Sequence, residues 1–380
     1  MARDQCLGLP ELIAMLKKKL EKENGIRGRE VMVTAGANMA FVHAAMCLAS
    51  PGDAAILFAP YYFSHRVALE LLGVKPIYVE CDDEMMPSAT ELAAALERAE
   101  ASGVRVKMVA IVTPGNPSGA VISKLRLNEL VKVCSDHKVW LVSDETYEYF
   151  TYDGAEHVSP HSADGVINIF SLSKSYGLAG WRVGYVAYPP SLHDVMLKAQ
   201  DTLVTNCPII CQKIAIAALR AGKPWVIEQV KTLEASRKAI WEAIEPLNPV
   251  PVHGAFYYMV KIPSMLDEMQ TIGLLAEKHH LLLTPGSAFG MPGYARIAFG
   301  AISPEESSEI GTRLMKGMSE MVRAGLRLSF DLQRSIPLAS GRDGIWGQLD
   351  KEERLISYES RGVNRQLSTN GKELLIEEDE

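Results

Sequence analysis

A chain of 380 residues, 48% hydrophobic and 22% charged, has the material for one large and one smaller globular domain, each with its own core. Its formal net charge of -7 argues against nucleic acid or an anionic membrane surface as a bulk electrostatic partner. No apolar run approaches the ~18 residues of a membrane span and the N-terminus shows no signal-peptide pattern, so a cytoplasmic location is expected. The cysteines Cys6, Cys47, Cys81, Cys134, Cys207 and Cys211 are scattered, and no histidine completes a zinc pattern around the close pair Cys207 and Cys211. They read as mostly buried thiols in a reducing compartment, with no metal site.

Residues 8–24 predict an amphipathic helix, with Pro10 in its first turn, Leu12, Met15, Leu16 and Leu20 at helical spacing, and Gly25 as its stop. Val31 to Asn38 leads through small residues into an apolar helical run from Met39 to Leu48. A helix entered this way aims unpaired backbone N–H groups outward, a phosphate cradle at Ala37 and Asn38, although many ordinary helices also start after Gly-Ala. Ala54 to Phe58 predicts a strand that delivers Pro60-Tyr61-Tyr62-Phe63-Ser64-His65. Val104 to Val112 predicts another, ending in Thr113-Pro114-Gly115-Asn116-Pro117-Ser118-Gly119, where the prolines hold Asn116 tightly. A helix from Asn128 to His137 and a strand from Val139 to Val142 follow, then Ser143-Asp144-Glu145-Thr146-Tyr147. An Asp at a strand end serves as a helix cap or as a ligand.

The apolar run Val166 to Phe170 predicts a buried strand that opens into Ser171-Leu172-Ser173-Lys174-Ser175-Tyr176-Gly177-Leu178-Ala179-Gly180-Trp181-Arg182-Val183-Gly184. A lysine at the mouth of a buried strand is desolvated, which favours the neutral amine and its use as a nucleophile toward an aldehyde. The hydroxyls of Ser171 and Ser173 and the forked donors of Arg182 suit an anion in the same space. An aldehyde bearing a phosphate is pyridoxal 5'-phosphate, which its enzymes hold on a lysine as a Schiff base. A surface lysine in a polar loop is the plain alternative. Strands alternate with helices through this region, which predicts a mostly parallel sheet covered on both faces, with Asn116, Asp144 and Ser171 all just past strand C-terminal ends. Further on, Tyr185 to Tyr188 continues as a strand, Asp201 to Pro208 opens a helix rich in alanine and isoleucine, and Glu228 to Leu247 predicts one long helix bridging to a smaller domain.

The stretch from Ser171 to Gly184 resembles the cofactor-attachment signature of the class I/II aminotransferases, the fold-type I family. Gly254-Ala255-Phe256-Tyr257-Tyr258-Met259, Thr284 to Gly290, and Tyr294-Ala295-Arg296-Ile297-Ala298-Phe299 extend the resemblance, which covers roughly residues 8–326. It implies an α/β fold: a large domain with a mostly parallel sheet sandwiched by helices at 26–235, and a smaller α/β domain from 236–326 completed by 1–25. Residues 327–380, low in apolar content and mixed in charge, are expected to form a disordered tail.

By the same resemblance Lys174 carries the cofactor as an internal aldimine and, once freed by substrate, moves the Cα proton. Asp144 pairs with the pyridine nitrogen, with His65 behind it. Asn116 and Tyr147 donate to the phenolic oxygen, Tyr62 stacks on the ring, and Ala37, Asn38, Ser171, Ser173 and Arg182 hold the phosphate. Arg296, with Asn116, binds the substrate α-carboxylate. Thr34-Ala35-Gly36-Ala37-Asn38, Pro60-Tyr61-Tyr62-Phe63 and Tyr147 to Gly154 look most like plant and algal aromatic aminotransferases, implying transfer from an aromatic amino acid or methionine to a 2-oxo acid. The family forms homodimers with the active site at the interface. Its members carry an N-terminal arm with a tyrosine that reaches the neighbouring subunit's phosphate, where this chain has only Arg3 to Leu7. Two alternatives stay open at this point: a pyridoxal-phosphate lyase of the cysteine-conjugate β-lyase or aminocyclopropane-carboxylate synthase type, and a truncated, catalytically weak dimerising homologue.

Overall fold

The computed structural model describes residues 6–161, 164–264, 266–303 and 305–334. Seven strands form the main sheet: β1 (Glu30–Thr34), β2 (Ala54–Ala59), β3 (Lys75–Glu80), β4 (Val106–Val112), β5 (Trp140–Asp144), β6 (Val166–Ser171) and β7 (Gly184–Tyr188). Their order is β1-β7-β6-β5-β4-β2-β3. The neighbours from β6 to β3 pair in parallel, and β7 runs antiparallel between β6 and β1. The expected mostly parallel α/β sheet is therefore what the chain builds.

Its inner strands are apolar on both faces because both are covered, while the edge strand β3 is largely exposed. In β2, Ala55 and Leu57 pack with Phe41 and Ala44 of the helix Ala37–Leu48, while Ile56 and Phe58 point the other way, against Leu92 and Leu127. Period-two alternation sends successive residues into two different cores. A third core joins the N-terminal helix (Leu12, Leu16, Leu20), the far face of β1 and β7, and a second, antiparallel sheet. That sheet contains β8 (Tyr257–Lys261), β9 (Thr284–Pro285) and β10 (Tyr294–Ala298) in the order β8-β10-β9.

The helix expected over Asn128 to His137 spans Lys124–Asp136, capped by the Ser123 side chain, and local structure departs from expectation in four further places. The N-terminal helix is α-helical over Pro10–Lys19 and widens to a π turn over Leu20–Asn24 before Gly25, at φ +69°, ends it. The long helix expected over Glu228 to Leu247 is divided: the helical run Ile209–Lys231, itself broken at Gly222 (φ +74°), ends before the helix Glu234–Ile244 begins. The backbone tightens to i+3 hydrogen bonds at Thr232 and Leu233, and the Thr232 hydroxyl donates to the Gln229 carbonyl, so the axis is reset there. Asp201 to Leu203 finish the preceding helix His193–Leu203, and the alanine-rich helix starts only at Ile209. Finally, the helix Ser307–Arg334 runs through position 327, where the tail was expected to begin; it buries Leu314, Met318 and Met321 along one face. Residues 335–380 lie outside the described residues.

The N-terminal helix is tied to the sheet by a buried polar group. Lys19 and Glu148, 8% and 9% exposed, form an ion pair; Asn24 accepts from Lys19 at 2.8 Å and donates to Glu148 at 2.9 Å. The Lys19 ammonium also lies 4.7 Å from the Phe170 ring centre. Removing one partner strands a buried charge. Lys19→Met is expected to cost about 3 kcal/mol of unfolding free energy in urea titrations. The double variant Lys19→Met/Glu148→Gln should recover part of that loss. A single-variant loss within the error of the titration would contradict the assignment.

Candidate active site

At the C-terminal edge of the parallel strands lies a cleft of about 260 Å3. Ala37, Asn38, Tyr62, Asn116, Asp144, Tyr147, Ser171, Ser173, Lys174, Arg182 and Arg296 all line it. The residues expected to touch cofactor or substrate are thus brought together, from segments far apart in the chain, with His65 behind Asp144 and outside the cleft lining. A larger surface groove of about 800 Å3, with the Asp153–Arg237 and Asp153–His253 ion pairs in its wall, contains none of them.

One wall is an anion cradle. Gly36 caps the helix Ala37–Leu48 at φ +88° with no side-chain cap, so the first N–H groups of the helix have no capping partner. Arg182 packs directly on this turn: a Cβ at Gly36 would sit 2.3 Å from its Nη2. From the other side, a Cβ at Gly184 would fall 2.7 Å from the Ala37 nitrogen and the Gly36 carbonyl carbon, backbone atoms that cannot move aside. Gly184 needs glycine because two backbones meet there, and Gly36 because its φ is positive and the Arg182 guanidinium fills the space of a side chain. The Arg182 guanidinium donates to the carbonyls of Ala179 (2.9 Å) and Ala35 (3.4 Å), which fixes its fork beside the helix end.

Lys174 follows β6 through Ser171 and Ser173, both buried; the Ser173 N–H donates to the Ser171 hydroxyl at 3.1 Å. The lysine is exposed in the cleft, more open than the sequence implies. Its pKa is nevertheless lowered from the ordinary lysine value, first by partial desolvation and then by the positive charges of Arg296 and Arg182.

Opposite stands Asp144 at the end of β5, 4% exposed. The Thr146 N–H (3.0 Å) and hydroxyl (2.7 Å) donate to its Oδ1, and His65 Nε2 lies 3.2 Å from its Oδ2. His65 is stacked on Phe41, with ring centres 3.9 Å apart, and meets Tyr62 edge-on at 5.2 Å. The Tyr147 hydroxyl shares a 2.8 Å hydrogen bond with that of Tyr257, and burial raises the Tyr147 pKa well above the usual phenol value, so it remains a donor. Arg296 lies between the rings of Tyr257 and Phe289, at 4.4 and 4.9 Å. It donates to Asn116 Oδ1 (2.9 Å) and Thr284 Oγ1 (3.2 Å), while its buried Nε has no partner. Asn116 thereby keeps its amide N–H groups available.

Thr146 and Tyr257 are the site residues that sequence reasoning missed as participants. Tyr257 stood in a recognised stretch but carried no signal of pairing with Tyr147. Thr146 could have been found from its hydroxyl two residues after Asp144, a spacing suited to a local side-chain bond.

The family profile for "Aminotransferase class I and II" matches residues 5–314. The chain is 39% identical over 328 residues to an aromatic aminotransferase, ISS1, of Arabidopsis thaliana, covering 84% of this chain and 82% of that one. It is 32% identical over 331 residues to an aspartate aminotransferase of Pyrococcus abyssi, covering 83% of each. Among solved structures, an aromatic aminotransferase from Pyrococcus horikoshii OT3 superposes with a TM-score of 0.75 at 30% identity, over 83% of this chain and 87% of the other. An aspartate aminotransferase from Thermus thermophilus with maleate superposes with a TM-score of 0.74 at 26% identity, over 82% of each. Fold and sequence together define an α/β transferase, and the chain belongs to the class I and II aminotransferase family. It is a transaminase, moving an amino group between an amino acid and a 2-oxo acid, with pyridoxal phosphate as cofactor.

The lowered pKa of Lys174 is open to measurement. A group whose pKa is depressed sheds its proton at lower pH, so more neutral amine is present near pH 7 than on a surface lysine. Amine-selective labelling of the cofactor-free protein, read by peptide mass spectrometry, should reach half-maximum at Lys174 below the pH needed for surface lysines. Arg296→Met should move that midpoint upward, since one neighbouring positive charge is gone. Equal midpoints for Lys174 and surface lysines would overturn the electrostatic reading.

Proposed function

We propose that Lys174, Asp144 and Tyr147 are the catalytic residues of this transaminase, and that its amino donors are aromatic amino acids or methionine. The observation that carries the assignment is the convergence of residues from separate segments on one cleft around a lysine of lowered basicity. The residues present fit pyridoxal phosphate. The helix end at Ala37 and Asn38, the hydroxyls of Ser171 and Ser173, and Arg182 form an anion cradle where two glycines admit no Cβ. A buried carboxylate, Asp144, stands opposite to meet a ring N–H, Tyr62 offers a face for the ring, and Asn116 and Tyr147 supply neutral donors for its phenolic oxygen.

Bound pyridoxal phosphate supplies an electron sink for charge developing at the substrate Cα. The chain's own work is to hold and to move protons. Arg296, its Nε unpaired, binds the substrate carboxylate and sets the Cα bond geometry. Lys174, its basicity lowered first by partial desolvation and then by Arg296 and Arg182, takes the proton from the substrate Cα as general base and, as general acid, would deliver it to the aldehyde carbon of the bound cofactor. Asp144, oriented by the Thr146 N–H and hydroxyl, would accept a hydrogen bond from the protonated ring nitrogen. Tyr147, kept protonated by burial and backed by Tyr257, donates a hydrogen bond throughout.

Donor class is supported by a recess of about 470 Å3 that adjoins Lys174 and Arg296. Phe150, Trp225, Leu233 and Phe256 line it, and no charged side chain other than Lys174 and Arg296 does so. A second carboxylate would find no cation of its own there, whereas an aromatic or thioether side chain would find apolar surface. The likeness to the plant aromatic aminotransferase agrees with this.

We also propose a homodimer, with the domain division 26–235 and 236–326. Trp181 beside Arg182, and Ile209 and Ile210 just past Cys207, are large exposed apolar residues next to the cleft, and the Cys207 thiol contacts the Arg182 carbonyl at 3.6 Å. A cytoplasmic location is supported by the lack of disulfides among the described cysteines; no helix among the described residues is long and apolar enough to cross a membrane.

Absorbance spectroscopy tests the assignment. Phenylalanine or methionine should shift the visible cofactor band of the purified protein and release the matching 2-oxo acid; aspartate should do so at least ~10-fold more slowly. Lys174→Ala should abolish product formation. Equal rates for phenylalanine and aspartate would refute the donor class, and a Lys174→Ala variant with unchanged turnover would refute the mechanism. Light scattering should show a dimer, and a fully active monomer would rule that state out.

A further inference from the structure

We propose that Thr146 is a positioning residue for Asp144: its hydroxyl, hydrogen-bonded to Oδ1, fixes the orientation of that carboxylate toward the ring nitrogen of bound pyridoxal phosphate. This rests on the reading that Asp144 faces that nitrogen.

A carboxylate offers about four lone-pair directions. Thr146 occupies two of them at Oδ1, with its backbone N–H at 3.0 Å and its hydroxyl at 2.7 Å. His65 Nε2 stands 3.2 Å from Oδ2. No hydrogen bond to Oδ2 forms among the described residues, so that oxygen is left for the cleft, with His65 beside it. No lysine or arginine among the described residues forms an ion pair with Asp144, so hydrogen bonds carry the cost of burying its charge.

The two oxygens are held in different ways. The Oδ2 side is set by tertiary packing, because His65 is buried and stacked on Phe41. The Oδ1 side is set locally, by one residue two positions along the chain. Thr146 itself lines the cleft and is half-buried, so its hydroxyl sits at the boundary between the carboxylate and the space where the ring would lie. Its β-branched side chain restricts χ1 and so holds the hydroxyl on Asp144. Valine has nearly the same shape without the donor, and serine keeps the donor without the methyl. The pair separates the hydrogen bond from the packing.

The test compares Thr146→Val, Thr146→Ser and Asp144→Asn holoenzymes with the wild type. For Thr146→Val, the dissociation constant for pyridoxal phosphate, measured by equilibrium dialysis, should rise roughly three- to tenfold, the scale of a hydrogen bond to a charged group. The pH midpoint of the visible cofactor band should move upward, since a ring nitrogen that holds its proton less firmly draws less charge from the Lys174 nitrogen. The amino-acid half-reaction should show a lower kcat with KM little changed, because Arg296 is untouched. Thr146→Ser should restore dissociation constant and midpoint to near wild-type values.

Two results would overturn the proposal: a valine variant with wild-type cofactor affinity and pH midpoint, whatever its stability in urea, or a serine variant as impaired as the valine one, which would assign the effect to the methyl group. Asp144→Asn separates this from the underlying reading. If it too leaves affinity and midpoint unchanged, Asp144 does not face the ring nitrogen and both readings fall.

Discussion

The site depends on one reversal of direction. β7 is inserted antiparallel between β6 and β1, so its first residue, Gly184, lies at the same sheet edge as the last residues of both neighbours. The loop from Leu172 to Val183 therefore leaves and re-enters the sheet at adjacent strands, which pins the segment carrying Lys174 and Arg182 at both ends. The same insertion presses Gly184 against the Gly36–Ala37 turn, where no Cβ fits. A strand order without this antiparallel member would send the chain after Lys174 away to the far end of the sheet, and Arg182 would not meet the helix end.

The electrostatics follow from that placement. Arg182 and the uncapped helix terminus make one end of the cleft positive, and Arg296 makes another; at Lys174 partial desolvation, and then both guanidinium charges, lower its basicity. The negative counterpart, Asp144, is buried and held by the hydroxyl and backbone N–H of Thr146, with His65 beside it and no lysine or arginine paired to it among the described residues. A lysine or arginine against Asp144 would compete for its charge, whereas the Thr146 N–H and hydroxyl orient it and leave the charge to act across the cleft. Tyr147 and Tyr257 complete the pattern: their buried hydroxyls remain protonated and pair with each other, supplying donors without adding charge.

Much of this was legible in the chain. Lys174, Asp144, Asn116 and Arg182 stand in short segments with unusual local chemistry at strand ends, and strand ends are readable from apolar runs. Strands β2, β4, β5, β6 and β7 were located to within two residues for that reason. The break at Thr232 and Leu233 was not legible, because neither residue is a strong helix breaker and the joint is a small tightening of the hydrogen-bond pattern. Nor was the helix past position 327, whose mixed composition hides a regularly spaced apolar face in its first part. The pairing of Tyr147 with Tyr257 joins residues 110 apart in the chain, and nothing local announces it.

By itself the sequence determined the class of chemistry: a nucleophilic lysine among anion-binding groups, a carboxylate at a strand end, and alternating strands and helices that require a covered, mostly parallel sheet. Those properties are local, because they follow from residue types within a dozen positions of one another. Only the tertiary structure decided how exposed Lys174 is, which charges surround it, which donors hold Asp144, and that Arg296 lies between Tyr257 and Phe289 in reach of Asn116. Each of these depends on distances between segments far apart in the chain. Those distances are set by sheet order and by packing between the two sheets, not by the spacing of residues along the backbone.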